Sequence, residues 1–366
     1  GSEPLAQGYA GHQFGGFSPQ LGDGRAILLG DVIDTLKQRR DIQLKGSGRT
    51  PFSRGGDGKA ALGSVLREYL IGEGMHALGI PTTRALAAVT TGDDVYRETP
   101  LPGAVLTRVA ASHIRIGTFE FGAARGDVDN VRKLTDYAIA RHYPDIANAN
   151  NPYLAFFEAV CDAQAALVAR WMNIGFIHGV MNTDNMTISG ETIDYGPCAF
   201  MDTYSADTVF SSIDSHGRYA YANQPKILSW NLTRLAETLV RFVDTDKKRA
   251  VELLTEKINK IQPLYETYWL AGMRSKIGLS TENPLDLELI NDLLSTMEEG
   301  HADFTLVFRL LAQALRGDSK PVRHLFEEPI AFDIWEQRWR SRFEQDGITE
   351  ETRLQFMNRV NPIYIP

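Results

Sequence analysis

The first third of the chain alternates short apolar runs with glycine-rich turns. Residues 26–29 follow a turn at residues 22–25 and predict a strand, and residues 41–45 alternate polar and apolar positions as a half-buried strand does. Six of the fourteen residues over 46–59 are glycine or proline, which predicts a loop. Further strands are predicted over residues 85–90, 95–98 and 105–109. This part of the chain therefore predicts a small sheet.

Apolar residues at helical spacing follow that loop and dominate the rest of the chain. The first predicted helix, over residues 60–74, has an apolar stripe made of Leu62, Val65, Leu66, Tyr69 and Leu70. Glu68 lies off that stripe, so we expect it to face a cleft rather than the core. Further helices are predicted over residues 156–174, 228–243, 251–264, 285–297 and 304–315.

The order of these elements predicts the fold class. A strand-rich part followed by a larger helical part is typical of an α+β chain with two lobes. We expect an N-lobe over residues 1–116 and a C-lobe over residues 117–366. A two-lobed chain places its ligand cleft between the lobes.

Composition restricts the class of protein. The 366 residues are 43% hydrophobic and 23% charged, as in soluble globular proteins. No apolar run approaches the roughly 18 residues of a membrane span, and a net charge of −8 argues against a nucleic-acid binder. Two cysteines cannot form a disulfide framework. Gly1 and Ser2 resemble an expression remnant with no signal peptide after it, so we expect a cytoplasmic location, without membrane or nucleic-acid partners.

The charge is unevenly distributed. Residues 37–67 contain eight basic and two acidic residues, a local net charge of +6, interspersed with glycines. Such a cluster is usually a solvated surface, but glycines beside it also suit an anion site.

Candidate metal ligands flank a predicted hairpin. Two short segments surround the turn Ser189-Gly190, and in that register Asn185 lies opposite Asp194. Cross-strand neighbours are about 5 Å apart, so an amide oxygen and a carboxylate can share one cation. Oxygen ligands suit Mg²⁺ or Mn²⁺, with phosphate and water completing the shell. An ordinary surface hairpin explains the spacing about equally well.

The order of motifs favours a nucleotide site of the protein-kinase type. Kinases carry a metal-binding Asn followed by Asp-x-Gly, and a Lys–Glu pair in the first lobe. Asn185 and Asp194 fit the metal pair, and Lys45 and Glu68 fit the Lys–Glu pair. Val180 occupies the position of the kinase catalytic Asp, five residues before Asn185, so ordinary phosphoryl transfer lacks its base.

Several segments together resemble the selenoprotein O (YdiU) family over almost the whole chain. They are Pro4-Leu-Ala-Gln7, Tyr9-Ala-Gly-His-Gln-Phe-Gly15, Gln20-Leu-Gly-Asp-Gly-Arg25, Leu44-Lys-Gly-Ser-Gly48, Gly56-Asp-Gly58, Gly79-Ile-Pro-Thr-Thr-Arg84, His178-Gly-Val-Met-Asn-Thr-Asp-Asn-Met186 and Asp194-Tyr-Gly-Pro197. The resemblance implies a bilobal pseudokinase fold that binds ATP in an inverted orientation. It also implies transfer of AMP to Ser, Thr or Tyr hydroxyls of proteins, with pyrophosphate leaving.

The resemblance further implies roles for individual residues. Asp184 resembles the proton acceptor, Asn185 and Asp194 the ligands of Mg²⁺ or Mn²⁺, and Glu68 the residue that orients Lys45. The nucleotide contacts that it implies are Gly22, Gly24, Arg25, Lys45, Asp57, Gly58, Arg108, Arg115 and Asp194. Arginine forks suit the buried phosphates that an inverted ATP requires.

Three functions remain open at this point. The first is AMP transfer, the second is phosphoryl transfer with Asp184 as base, and the third is a non-catalytic nucleotide-binding scaffold. A complete metal pair of Asn185 and Asp194 argues against the scaffold. No base-reading motif distinguishes ATP from UTP. A eukaryotic member with a removed targeting segment would be mitochondrial instead of cytoplasmic.

Overall fold

The computed structural model describes residues 3–366, so Gly1 and Ser2, interpreted above as an expression remnant, lie outside the described residues. The chain divides into two units, which are described separately. The first holds the chain up to Leu167 together with Val180–Gly196 and Lys226–Gln262. The second holds Val168–Gly179, Pro197–Pro225 and Pro263–Pro366. The predicted α+β class is confirmed, and the lobe boundary at residue 116 stays a prediction.

A five-stranded antiparallel sheet lies at the start of the first unit. Its strands are β3 Ala26–Ile33, β4 Arg39–Lys45, β5 Ala60–Ala61, β6 Arg84–Tyr96 and β7 Pro100–Ala110, and two shorter strands, β1 Gly11–Gln13 and β2 Gly16–Ser18, precede them in the chain. The five strands run β3-β4-β7-β5 with β6 also on β7, and β1 and β2 form a separate hairpin. Gln43 of β4 lies opposite Arg108 of β7. Because alternate residues share a face, Gln43, Lys45 and Arg108 point to the same side of the sheet.

The predicted strands are confirmed with one difference. Residues 26–29 and 41–45 lie in β3 and β4, and residues 105–109 lie in β7. The two strands predicted over residues 85–90 and 95–98 are one strand, β6. The residues between the two predicted strands are accommodated within β6 as a register shift between Thr90 and Asp94.

Helix α1, Leu62–Ala77, follows β5 and packs on β6 and β7. Its position was predicted, but its buried face was partly wrong, because Leu66 and Leu70 are 42% and 63% exposed. The buried row instead runs at helical spacing through Glu68: its members are Val65, Glu68, Ile71, Gly72 and Met75. A carboxylate in that row is tolerated because two cations pair with it, as described below.

The first unit also contains α2 Ile116–Ala124, α3 Val128–His142 and α6 Lys247–Ile258, and most of α4 Pro152–Asn173 and α5 Gln224–Val243. The second unit contains most of α7 Ile261–Lys276 together with β8 Phe176–Ile177, β9 Ala199–Phe200, α8 Asp286–Glu299, α9 Phe304–Leu315, α10 Lys320–Arg323, α11 Ile330–Arg342 and α12 Glu350–Val360. The helix predicted over residues 251–264 is two helices, α6 and α7. Pro263 lies in the first turn of α7, where its missing N–H removes no helical bond.

Aromatic side chains fill the core of the second unit. Trp335 and Trp339 of α11 stack with ring centroids 5.5 Å apart. A buried lysine, Lys276, lies beside α9, with its ammonium 5.1 Å from the ring centroid of Phe304 and 4.1 Å from that of Phe308. Within residues 3–366, the helices are too short or too polar to span a bilayer.

Candidate functional site

Three cationic side chains of the first unit converge on two carboxylates. Lys45 donates to Glu68 at 2.6 Å and to Asp194 at 3.0 Å. Arg108 donates through Nε to Glu68 at 2.7 Å and through Nη2 to Asp194 at 2.8 Å. Arg115 donates to the second Asp194 oxygen at 2.7 Å. The structure thus brings together five of the residues predicted for the site; we call them the cation cluster.

Local structure explains how these residues meet. The sheet register presents Lys45 and Arg108 on one face, and α1 presents Glu68 from its buried row. Arg115 precedes the first turn of α2, where the Thr118 hydroxyl accepts from its backbone N–H at 3.1 Å. Asp194 has a φ of 63°, in the left-handed region that Asp and Asn tolerate better than most residues.

The cations keep both carboxylates ionised. Burial opposes ionisation of Glu68, but Arg108 and Lys45 outweigh it, so the pKa of Glu68 lies below its usual value. Burial likewise opposes ionisation of Asp194, and Lys45, Arg115 and Arg108 together hold its pKa well below the usual range. Within the cluster three cations face two carboxylates, and the carboxyl group of Asp23 lies 3.9 Å from Arg115. An anionic ligand would therefore bind by taking over part of this pairing.

Asp184 lies beside this cluster and differs from its two carboxylates. Its backbone oxygen accepts from Arg115 at 2.7 Å. Its Oδ2 accepts from Gln13 at 3.2 Å, while its buried Oδ1 has no hydrogen-bond partner among residues 3–366. Burial raises the pKa of Asp184 to about 6. A carboxylate with such a pKa and an unpartnered oxygen suits a proton acceptor near neutral pH.

The hairpin predicted around Ser189-Gly190 was wrong as a strand ladder, although the turn is present. Thr187 instead bridges to Arg115 and Thr192 bridges to Thr82. The Thr187 hydroxyl closes the turn by donating to the Glu191 carbonyl at 2.7 Å and accepting from its N–H at 3.0 Å. The polar Thr187 side chain therefore replaces the ladder hydrogen bonds on which the predicted register rested.

The donor chemistry of Asn185 and Asp194 fits a hard divalent cation. The Asn185 amide nitrogen donates to the Val180 carbonyl at 2.9 Å, which leaves the amide oxygen as the ligand atom. Both Asp194 oxygens accept hydrogen bonds from Lys45, Arg108 or Arg115, so a bound metal ion would share or replace some of those bonds. Residues 3–366 contain no group of three or more His, Cys, Asp or Glu side chains suited to a metal. Phosphate and water would complete the shell.

The other predicted nucleotide contacts lie on two segments that pack against each other. Gly22 has a φ of 79°, and a Cβ there would lie 2.3 Å from the Phe52 ring. The Gly24 carbonyl accepts from the Ser53 hydroxyl at 2.5 Å. Arg25 is exposed, and Asp57 pairs with Arg97 at 2.9 Å. Gly58 crosses the backbone of Gly48. The structure therefore places these residues in the glycine-rich loops rather than in the cation cluster.

Gly58→Ala is expected to destabilise the fold more than Gly55→Ala. Both glycines have positive φ, 69° and 82°, but a Cβ at Gly58 would lie 2.0 Å from the Gly48 carbonyl oxygen, whereas Gly55 has nothing within 4 Å. The shared strain costs about 1–2 kcal/mol, and the clash adds about as much again. Urea unfolding checks this, and equal losses in the two variants would contradict it.

Sequence reasoning missed the neighbours that hold the cluster in place. Gln43 accepts from Arg108 at 3.1 Å and donates to Asp23 at 3.2 Å. The guanidinium carbon of Arg115 lies over the Tyr9 ring, 4.6 Å from the ring centroid. The position of Gln43, two residues before Lys45 on the same strand face, was a usable signal. The position of Tyr9, far away in sequence, was not.

Comparisons with known proteins decide the family. The family model described as protein adenylyltransferase SelO matches residues 1–366. The chain belongs to this family.

Curated relatives agree with the SelO assignment. A protein named protein nucleotidyltransferase YdiU from Cereibacter sphaeroides (strain KD131 / KCTC 12085) is 62% identical over 366 residues, covering this whole chain and 75% of the relative. Proteins of the same name are 62% identical in Rhizobium leguminosarum bv. trifolii (strain WSM2304) and 60% identical in Rhizobium meliloti (strain 1021), covering this whole chain and 74% and 75% of those relatives.

The SelO assignment confirms the resemblance stated from the sequence. It also confirms that the chain is an enzyme of the nucleotidyltransferase class, so its substrate is a nucleotide. The non-catalytic scaffold, which the metal pair already argued against, is not supported by these relatives. The roles of single residues are not settled by family membership, and they are proposed below from the geometry.

Proposed function

We propose that the chain transfers AMP from ATP to Ser, Thr or Tyr hydroxyls of proteins and releases pyrophosphate. The observation that carries the proposal is the position of Asp184, a buried carboxylate with an unpartnered oxygen, next to a cluster of three cations. Such a site can accept a proton from a hydroxyl while it neutralises the charge of a triphosphate.

Each group has a part in the reaction. The acceptor hydroxyl oxygen forms a bond to the α-phosphorus, its proton passes to Asp184, and the bond from the α-phosphorus to the bridging oxygen of the β-phosphate breaks. Lys45, Arg108 and Arg115 bind the departing pyrophosphate oxygens. Arginine forks suit this task because they bind two phosphate oxygens at once.

Glu68 and Asp194 preorganise the cations before the nucleotide binds. Without those carboxylates, Arg108 and Arg115, which are 1% and 2% exposed, would be buried without charge compensation. Incoming phosphate oxygens would take over part of that pairing. Glu68 remains with Lys45 and orients it, as the Lys–Glu pair of kinases does.

A divalent cation, Mg²⁺ or Mn²⁺, completes the proposed site. Asn185 and Asp194 would hold it, and it would supply further neutralisation of phosphate charge. The glycine-rich loops around Gly22, Gly24, Arg25, Asp57 and Gly58 would close over the nucleotide, since glycine allows close backbone approach. ATP and UTP remain alternatives at the base.

A bilobal kinase-like arrangement is part of the proposal. It is supported within the first unit by an antiparallel sheet whose strand β4 ends in Lys45, followed by helix α1 carrying Glu68. Kinase N-lobes have the same order of strand lysine and helix glutamate. The α-phosphate would be presented by an inverted nucleotide. We also propose a reducing, cytoplasmic setting, which the buried thiols of Cys161 and Cys198 suit.

ATP labelled separately at the α- and γ-phosphates tests the reaction. With Mg²⁺ or Mn²⁺ and a generic protein acceptor, we expect the α-label alone on protein. Asp184→Asn should lower that rate by about 100-fold or more, because general-base catalysis contributes about 10²–10⁴-fold. Transfer of the γ-label alone would mean phosphoryl transfer and would overturn the proposal. Full activity of Asp184→Asn would remove Asp184 from its role.

A further inference from the structure

The N-terminal hairpin, β1 and β2 with their turn, contacts the segment that carries Asp184. Three consecutive residues of the hairpin bond to three consecutive residues of that segment. The His12 N–H donates to the Thr183 hydroxyl at 2.7 Å, the Gln13 amide donates to Asp184 Oδ2 at 3.2 Å, and the Phe14 N–H donates to the Asn182 amide oxygen at 3.2 Å.

A second network fixes the hairpin from the other side. The His12 ring nitrogen Nδ1 lies 2.5 Å from one oxygen of Glu120, and the Thr183 hydroxyl donates to the other oxygen at 2.5 Å. Glu120 belongs to α2 and is 5% exposed. One buried carboxylate therefore ties together strand β1, helix α2 and the residue before Asp184.

Steric fit constrains the Asp184 carboxylate at Oδ1, the oxygen that Gln13 does not contact. A Cβ at Gly11 would lie 2.4 Å from Asp184 Oδ1, closer than non-bonded atoms approach. A glycine at that position lets the strand pass directly beside the carboxylate. The hairpin thus borders Oδ1 at Gly11 and donates to Oδ2 through Gln13, so it limits rotation of the Asp184 side chain.

We propose that Gln13 is a positioning residue, whose amide holds Asp184 Oδ2 and thereby fixes the orientation in which the carboxyl group meets the acceptor hydroxyl. The proposal rests on the proton-acceptor role of Asp184 in the proposed function. A carboxylate held at one oxygen acts from one direction only, and small misplacements of a catalytic group lower the rate strongly. Among residues 3–366, the Gln13 amide makes its hydrogen bond to Asp184 and to no other group, so the amide serves this contact.

Gln13→Met tests the inference because it keeps the length of the side chain and removes the donor. We expect kcat for transfer of the α-label to fall about 10- to 100-fold, as for loss of a hydrogen bond to a charged group. The dissociation constant for ATP, measured by calorimetry, should change less than about twofold, since Gln13 does not contact the cation cluster. Ser18→Ala, on the opposite strand of the hairpin, is the matched control and should keep the wild-type rate.

A double-mutant cycle separates positioning from a structural effect. In the Asp184→Asn background, Gln13→Met should change the residual rate less than about threefold, because the group through which it acts is gone. An equal loss in both backgrounds, or a wild-type kcat in Gln13→Met, overturns the inference. If Gln13→Met lowers the midpoint of thermal unfolding, the cycle is repeated with Gln13→Ala, and the same two outcomes apply to its rates. A wild-type chain without α-label transfer would instead overturn the proposed function itself.

Discussion

Asp194→Asn is expected to reduce AMP transfer by about 1000-fold. Asp194 accepts from Lys45, Arg108 and Arg115 and is the proposed charged ligand of the divalent cation. An asparagine removes the negative charge that holds the three cationic side chains and the divalent cation. Loss of a single preorganised group at a transition state lowers the rate by about 10²–10³-fold. The measurement is the initial rate of α-label incorporation at saturating ATP and Mn²⁺.

Asparagine is the substitution of choice because it tolerates the φ of 63° at position 194. The chain should therefore remain folded, and circular dichroism checks this. Asp93→Asn is the matched control, since Asp93 is 71% exposed and pairs only with the partly exposed Lys59 at 3.3 Å in the described chain. It should keep full activity. An Asp194→Asn variant with more than a tenth of the wild-type rate would contradict the assignment of the cluster.

Lys276→Met is expected to stabilise the protein near neutral pH. Burial lowers the pKa of Lys276 to about 7, because its ammonium lies in an apolar setting beside Phe304 and Phe308. A shift of that size from the ordinary value near 10.4 corresponds to about 4–5 kcal/mol. Attraction between the ammonium and the two rings offsets about 1–2 kcal/mol. We therefore expect a net gain in the free energy of unfolding of about 2–4 kcal/mol, measured by thermal or urea unfolding.

The pH dependence distinguishes this cause from a simple gain in packing. The unfolded chain protonates the lysine below about pH 10, whereas the folded chain resists protonation above about pH 7. The destabilisation caused by Lys276 is therefore complete below pH 7, and it disappears as the pH rises toward the pKa of the lysine in the unfolded chain. The gap between Lys276→Met and wild type should narrow over that window. A difference in stability that stays constant with pH would contradict this cause. Lys247→Met, at an exposed lysine, is the control and should have the stability of the wild type at every pH.

The sequence predicted the elements that carry their own signal. Strand β4 and helix α1 were recognised from alternation and periodicity, and Lys45 and Glu68 were paired because their order matches a known arrangement. The face of α1 was partly misjudged, since periodicity assigns a leucine to the core more readily than a glutamate. Only the pairing of Glu68 with Lys45 and Arg108 makes its burial favourable, and that pairing depends on tertiary structure.

Other features depend on contacts that pattern cannot show. The hairpin after Asn185 was predicted from Ser-Gly flanked by β-like residues, but Thr187 and Thr192 bridge to Arg115 and Thr82 instead. Helices α2 and α3 were not predicted. Arg108 and Arg115 were proposed from the family resemblance alone, because a buried arginine looks in sequence like any surface arginine.

The hairpin that borders Asp184 also affects when the site can form during synthesis. His12 and Gln13 bond to residues that lie 171 positions later in the chain. At about 5–20 residues per second, a ribosome needs about 10–30 s to supply the partners of that hairpin. Strands β1 and β2 must therefore wait, already outside the ribosome, until Thr183 and Asp184 arrive. The proposed proton acceptor can therefore be held by the hairpin only after about half of the chain has been made, and we expect shorter nascent chains to be inactive.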